Sequence, residues 1–333
     1  MEIELVSVSG VGIRVEPAFD GVPNDDGVLA QYLVRVPEFD RATYYAAYQR
    51  HDALAPNKPG WVEGANRCQP LAVSDFRSVR PGGLFVLLKL SAGGYLALLP
   101  LAGEQTIAWF SSELGDLTLN LGTLGTGAVR GDLPLLAWAR AEDFYVACYR
   151  VWEAAIDHLG ASTRVREAKQ YPKIFRYLGW CSWEEYRGDI TSDLLVDAVE
   201  AIQRSELPIR YVLVDDGHLD HHRRRLISFE PNEKFPDGWA PLLNLRDPEG
   251  IRWMGLWLNF NGYWDGISRL NRLGDLNAHL AQDAAGERLL PALGLLNSVA
   301  FYDAIIGAAR DAGFDFVKVD NQAGNLEKYR GTE

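Results

Sequence analysis

Four short apolar runs in the second half of this 333-residue chain each give way to polar or aromatic residues. Tyr177–Trp183 (YLGWCSW) ends in Trp180, Cys181, Ser182 and Trp183. Tyr211–Val214 (YVLV) is followed by Asp215, Asp216, Gly217 and His218. Trp253–Leu258 (WMGLWL) contains Trp257 and leads into Asn259, Asn261 and Gly262-Tyr263-Trp264. Phe316–Val319 (FVKV) contains Lys318 and leads into Asp320, Asn321 and Gln322. In parallel sheets and barrels, functional residues collect at the carboxyl ends of strands. Asp320 is the sharpest candidate, a carboxylate where a buried strand gives way to a cleft. Lys318 lies two residues earlier and so shares its side of the strand. A nearby ammonium favours the ionised carboxylate that a nucleophile requires. A plain Lys–Asp pair at the mouth of a sheet explains the same two residues without chemistry. The other three strand ends tip the reading toward a site.

Asp215 and Asp216 would point to opposite faces of a regular strand. A turn at Gly217 lets both reach a cleft, where two carboxylates suit two neighbouring sugar hydroxyls. Asp before Gly is also an ordinary turn signal, so one of the pair is the firmer candidate. His218, His221 and His222 match no metal-ligand spacing, and the adjoining Arg223-Arg224-Arg225 would repel a cation. Residues 221–225 read as a solvated basic loop, and no metal is expected. Cys181 has no histidine at a catalytic spacing, so it reads as lining the pocket or packing beneath it. With no GxGxxG after a strand and no P-loop, no cofactor is indicated.

The elements that must position these residues change character along the chain. Residues 1–140 hold short apolar or alternating runs, including Gln31–Val36, Leu84–Leu90, Tyr95–Leu99 and Leu117–Leu121. Turn signals such as Pro81-Gly82-Gly83 and Gly93-Gly94 separate them, as in a β-sandwich. Tyr145, Cys148, Trp152, Ala155, Ile156 and Leu159 recur at helical spacing on one face of a helix, with Gly160 to end it. A polar linker, Ala161–Gln170, runs to Pro172. Beyond it, Ser192–Arg204 is expected to be helical. So is a segment capped by Ser298, carrying Tyr302, Ile305, Ile306 and Ala309 and stopped by Gly313. Alternating strands and helices predict a parallel sheet or barrel.

Composition narrows the partners. Lys and Arg number 33 against 45 Asp and Glu, a formal charge of −12. Such a chain repels phosphate backbones and anionic lipids, so neither nucleic acid nor membrane is expected as a partner. The N-terminus lacks a signal-peptide pattern, and Cys68, Cys148 and Cys181 are too scattered for a disulfide framework. A cytoplasmic protein is the expectation. Ten tryptophans suit a carbohydrate cleft, although composition alone favours core and interface filling.

Taken in order, Gly179–Trp183 (GWCSW), Asp189-Ile190-Thr191, Val214–Gly217 (VDDG), Asn232–Gly238 (NEKFPDG), GLW and GYW within residues 255–264, and Phe316–Gln322 (FVKVDNQ) resemble glycoside hydrolase family 36. The likeness is strongest to its alkaline α-galactosidase, seed-imbibition and raffinose-synthase branch. It implies a retaining mechanism on terminal α-galactosides, with Asp320 as nucleophile. It also implies Asp215, Asp216, Lys318, Trp180, Trp183, Cys181, Trp257 and Trp264 as substrate-binding residues around an oligosaccharide. Three positions depart from the family pattern: His218 stands where Trp is usual, Leu258-Asn259 where His often follows the tryptophan, and Asn321 where Val usually follows the nucleophile.

The expected fold is therefore multi-domain, β plus α/β. A β-sandwich over 1–140 and a connecting helix and linker over 141–171 precede the first half of a (β/α)8 barrel over 172–333. The roughly 160 residues after Pro172 fall short of the ~250 of a full barrel. A retaining mechanism also needs an acid/base carboxyl roughly 5–5.5 Å from the nucleophile. In the family that group lies on the sixth strand, which is expected beyond Glu333. Galactosyl transfer to a sugar acceptor is the alternative to hydrolysis. A non-catalytic sugar-binding remnant is the reading from another class.

Overall fold

The structure, a computed structural model, describes residues 3–7, 14–17, 28–46, 69–77, 79, 82–102, 107–113, 115–122, 133–159 and 164–329. Cys68, Pro81, Gly160 and the start of the expected linker lie outside them. The chain forms two compact units, divided between Lys169 and Gln170.

The first unit is a ten-stranded sheet of β1 (Ile3–Ser7), β2 (Arg14–Pro17), β3 (Val28–Arg35), β4 (Phe39–Ala46), β5 (Gln69–Val73), β6 (Gly83–Leu90), β7 (Tyr95–Pro100), β8 (Ile107–Glu113), β9 (Asp116–Gly122) and β10 (Leu133–Ala141). All pairings are antiparallel except that of β1 with β10. A single residue pair, Gly83 opposite Phe110, joins β6 to β8. On either side of that seam run β5-β4-β6-β7-β10-β1 and β8-β9-β3-β2. Tyr44, Val86, Leu88, Leu98 and Trp138 of the first run share one core with Tyr32, Phe110, Leu119 and Leu121 of the second. The two runs thus close over each other as the alternating pattern requires.

Helix α1 (Phe144–Leu159) covers the outer face of β7 and β10, but with a different stripe from the one its aromatic spacing suggests. Ala147, Val151 and Ala155 are buried against Ala97, Leu99, Ala137 and Ala139. Tyr145 and Trp152 are 72% and 50% exposed. The sheet's outer face is itself alanine-rich, and small residues on both sides let helix and sheet approach closely. The larger aromatic stripe faces outward.

In the second unit, four strands run parallel in chain order: β11 (Leu178–Cys181), β12 (Ile209–Val214), β15 (Trp253–Asn259) and β18 (Phe316–Asp320). Two small hairpins, β13 (Leu219–His222) with β14 (Arg225–Pro231) and β16 (Leu280–Gln282) with β17 (Leu289–Pro291), lie in the long connections. Val212, Val214, Met254 and Leu256 pack with Leu195 and Val199 of α2 (Ser192–Arg204) and with Phe301, Ile305 and Ala309 of α3 (Leu295–Asp311). Thr191 caps α2, its hydroxyl accepting from the Leu194 N–H. Helix α3 begins at Leu295 after Gly294, whose φ is 101°, so Ser298 lies within the helix and does not cap it. Gly313 follows its end as expected, at φ 107°.

The other side of this sheet follows from register and the two-residue alternation of a strand. Gly179 pairs with Tyr211 and Gly255 with Phe316, so these four lie toward the amino ends. The rings of Tyr211 and Phe316 sit 5.6 Å apart, each also touching Phe175. A Cβ on Gly179 would come within 2.1 Å of the Tyr211 ring, and one on Gly255 within 2.2 Å of the Phe316 ring. The same alternation carries Cys181, Asp215, Trp257, Lys318 and Asp320 to the carboxyl ends.

Candidate active site

Lys318 Nζ donates to Asp215 Oδ2 at 2.6 Å and lies 3.7 Å from Asp320 Oδ2. The ammonium expected to serve Asp320 therefore serves Asp215 first. The two carboxylates differ in access, with the Asp215 side chain 2% exposed and that of Asp320 36%. Burial works against the charge of Lys318. The hydrogen bond and charge of Asp215, then the charge of Asp320, outweigh it and raise the lysine pKa. An ammonium has three donors, and its one hydrogen bond, to Asp215, leaves donors for a ligand.

Each oxygen of Asp320 is held. Oδ2 accepts from Trp257 Nε1 at 3.0 Å, and Oδ1 accepts from the Asn321 backbone N–H at 2.7 Å. Trp257 is fully buried, so it is a fixed donor. Cys181 Sγ donates to Asp215 Oδ2 at 3.2 Å. Burial, and with it the neighbouring Asp215, pushes this thiol up, which keeps it protonated.

Asp216 turns to a different set of partners. Tyr263 Oη donates to its Oδ1 at 2.8 Å, and Trp264 Nε1 donates to its Oδ2. Burial, then the Asp216 charge, raises the Tyr263 pKa well above the phenol range, so it remains a donor. The rings of Trp257 and Trp264 lie 5.6 Å apart and join the two carboxylate groups. Gly217 makes the turn directly after Asp215 and Asp216, with φ at 120°, and a Cβ there would stand 2.6 Å from the Gly188 carbonyl oxygen.

The structure thus brings together Asp215, Lys318, Asp320, Cys181, Trp257, Asp216 and Trp264. Trp180 alternates with Cys181 along β11. It packs on the helix-side core and edge-on against Tyr186 at 6.2 Å. Trp183 follows the strand, with the Arg187 guanidinium 5.3 Å from its ring. Residues 221–224 are exposed, as a solvated basic loop should be, and Arg223 and Arg224, at φ 50° and 61°, make the turn of the β13–β14 hairpin. His221 stacks on Tyr263 at 4.3 Å, while Arg224 pairs with Asp265 at 3.0 Å and lies 5.4 Å from the Trp264 ring. Tyr263 and Arg224 were not singled out from the sequence. The aromatic pair Tyr263-Trp264, directly after a strand end, was the signal for the first; nothing in the arginine run signals the second.

With this geometry in place, the raffinose synthase or seed-imbibition protein Sip1 family model matches residues 136–234. Over that stretch, under a third of its length, the chain is similar to this family. The matched stretch contains Cys181, Asp215 and Asp216; Lys318 and Asp320 lie outside it. Two Arabidopsis thaliana proteins are similar. Probable galactinol–sucrose galactosyltransferase 6 is 24% identical, over 48% of this chain and 26% of its own length. Probable galactinol–sucrose galactosyltransferase 1 is 21% identical, over 69% of this chain and 37% of its own. The chain therefore spans well under two thirds of these relatives.

Solved structures share the fold. The Thermus thermophilus α-galactosidase in complex with p-nitrophenyl α-D-galactopyranoside has a TM-score of 0.51 at 18% identity, covering 95% of this chain and 62% of its own. A family 36 α-galactosidase from Geobacillus stearothermophilus, in complex with 1-deoxygalactonojirimycin, has a TM-score of 0.53 at 14% identity, covering 91% and 45%. Among the described residues no helix is long and apolar enough to cross a membrane.

Proposed function

We propose that the protein acts on terminal α-galactosides by a retaining mechanism with Asp320 as nucleophile. The observation that carries this reading is the contrast between two neighbouring carboxylates. Asp215 is buried and ion-paired, whereas Asp320 is accessible and held by donors at both oxygens. In the proposed first step an Asp320 oxygen bonds to the anomeric carbon as the glycosidic C–O bond breaks. A second carboxyl gives its proton to the leaving oxygen and then takes one from the attacking acceptor. Asp215 is bound to Lys318 and Asp216 accepts from Tyr263 and Trp264, so the acid/base is proposed to come from outside the described residues. The four-stranded unit is proposed to be the first half of a (β/α)8 barrel, preceded by the β-sandwich. Asp215, Asp216, Lys318, Cys181 and Trp264 would contact the sugar, with the buried Trp257 holding Asp320 behind them, whereas Trp180 packs on the helix side.

Galactosyl transfer is the second reading, favoured by the relatives named as galactinol–sucrose galactosyltransferases. The test uses the protein from its complete reading frame, incubated with raffinose and separately with sucrose plus galactinol. Hydrolysis releases galactose from raffinose; transfer makes raffinose from the second mixture. Asp320→Asn is expected to abolish either reaction while galactose binding persists, because shape is kept and the nucleophile lost. Activity retained within about tenfold, ~1.4 kcal/mol in barrier, would sink the assignment.

A further inference from the structure

Two adjacent arginines turn the β13–β14 hairpin. His222 pairs with Arg225, so Arg223 and Arg224 are the whole two-residue loop, with φ at 50° and 61°. A loop of this length with both φ positive favours asparagine and glycine, because a Cβ is crowded in the left-handed region. Arginine has no such advantage, yet it occupies both positions. Two unfavourable residues in succession point to something that one of the side chains does.

The two arginines differ in what they touch. The exposed side chain of Arg223 makes no ion pair, hydrogen bond or ring contact among the described residues. Arg224 is tied to the segment after β15. Its carbonyl oxygen accepts from the Asp265 N–H at 2.9 Å, and its Nε donates to Asp265 Oδ2 at 3.0 Å. Its guanidinium lies over the Trp264 ring, 5.4 Å from the centroid, within cation–π range. Farther along the hairpin, the Leu226 N–H donates to the Gly266 carbonyl at 3.0 Å and the Leu226 carbonyl accepts from the Ser268 N–H at 2.9 Å. His221, paired with Leu226 across the hairpin, stacks on Tyr263 with the rings 4.3 Å apart and 16° from parallel. The hairpin that follows Asp216 thus folds back onto Tyr263 and Trp264, the two side chains that hold the Asp216 carboxylate.

We infer that Arg224 is a positioning residue for Asp216, acting through Trp264. This rests on the proposed binding of sugar hydroxyls by Asp216. Tyr263 is buried, so packing fixes it. Trp264 is only partly buried, and packing alone holds it less firmly. The Arg224 guanidinium, itself held by Asp265, supplies the missing restraint on the indole whose Nε1–H donates to Asp216 Oδ2. Without it the indole is freer to turn, and one oxygen of Asp216 loses a fixed donor.

The test compares Arg223→Asn and Arg224→Asn in the protein from the complete reading frame. Thermal unfolding is measured, with steady-state kinetics on raffinose or on galactinol plus sucrose, whichever wild type turns over. Asparagine tolerates the left-handed region better than arginine, so both variants are expected to fold. Only Arg224→Asn is expected to raise KM, by about threefold to fivefold, the size of an exposed cation–π contact. Its kcat should stay within about twofold of wild type, because binding and not chemistry is affected. In a Trp264→Phe background, which lacks the indole N–H, Arg224→Asn is expected to leave KM unchanged. Equal KM for Arg223→Asn and Arg224→Asn would overturn the inference. So would the same KM increase in the Trp264→Phe background, since Arg224 would then not act through Trp264. A fall in kcat at unchanged KM would overturn it as well. An Asp216→Ala protein with wild-type KM would instead overturn the sugar-binding reading of Asp216, and this role with it.

Discussion

Lys318 reaches past Asp320, its neighbour on β18, to pair with Asp215 on a strand 103 residues away in sequence. The short contact crosses β15 and joins the ends of β12 and β18. Removing the ammonium leaves a carboxylate that is nearly inaccessible and has lost its main partner. Breaking a fully buried pair costs about 3–5 kcal/mol, and a Lys318 that is one third exposed should cost less, about 2–3 kcal/mol for Lys318→Met. Asp215→Asn added to it should recover much of the loss, because the neutral amide no longer needs the charge. Urea denaturation of the two single variants and the double variant checks this. Additive losses would mean that the pair is not coupled in the folded protein.

Gly255→Ala is a small change that the sheet should not accept. Its Cβ would lie 2.2 Å from the Phe316 ring, which is itself wedged against Tyr211 and Phe175. Overpacking of this kind typically costs about 1–3 kcal/mol. Adding Phe316→Leu should relieve part of it. Denaturation midpoints of the single and double variants give the answer, and a Gly255→Ala midpoint equal to wild type would show that the ring can move aside.

How much of this was legible in sequence depended on whether a residue's role is local. The four parallel strands were legible because each is a short apolar run with polar residues after it, and α2 because Leu195, Val199 and Ile202 fall on one helical face. Asp320, Asp215 and Asp216 stood out for the same reason. The partner of Lys318 was not legible, because a spacing of two identifies a shared face and says nothing of the strand opposite. The helix α1 was legible from its spacing, but of the face so read only Ala155 belongs to the buried stripe, because a helix lying close on an alanine-rich sheet buries Ala147, Val151 and Ala155. The solvated loop at Arg223-Arg224 was legible from its charge, but the hairpin strands on either side were not, for lack of any glycine or asparagine, the usual residues of a turn with positive φ.

Tyr263→Phe tests the second carboxylate. Without the phenol, Asp216 Oδ1 loses its 2.8 Å donor while Trp264 still holds Oδ2. If Asp216 accepts from a sugar hydroxyl, the loosened carboxylate should weaken binding more than chemistry. The expected outcome is a KM increase of about tenfold, ~1.4 kcal/mol, with a smaller change in kcat. Steady-state kinetics on raffinose distinguishes this from a fall in kcat alone, which would place Asp216 outside substrate binding.

His218 should make the protein sensitive to mild acid. It is buried, its Nδ1 lies 3.2 Å from the Asp215 carbonyl oxygen, and its Nε2 has no hydrogen-bond partner among the described residues. Burial lowers its pKa from 6.5 to about 4; the contact with Asp215 opposes this and the charge of Lys234 adds to it. Between those two values the unfolded chain takes up a proton that the folded chain refuses. Stability from this group is therefore full above pH 6.5, falls as pH drops toward 4, and changes no further below it. The slope approaches ~1.4 kcal/mol per pH unit, so the loss by pH 4 is on the order of 3 kcal/mol. His218→Asn offers a side-chain N–H to the same carbonyl and does not titrate. The difference in unfolding free energy between wild type and His218→Asn should shrink or reverse steadily, against wild type, from pH 7 to pH 4.5. Parallel curves across that range would show that His218 is protonated as readily in the folded protein as in the unfolded chain.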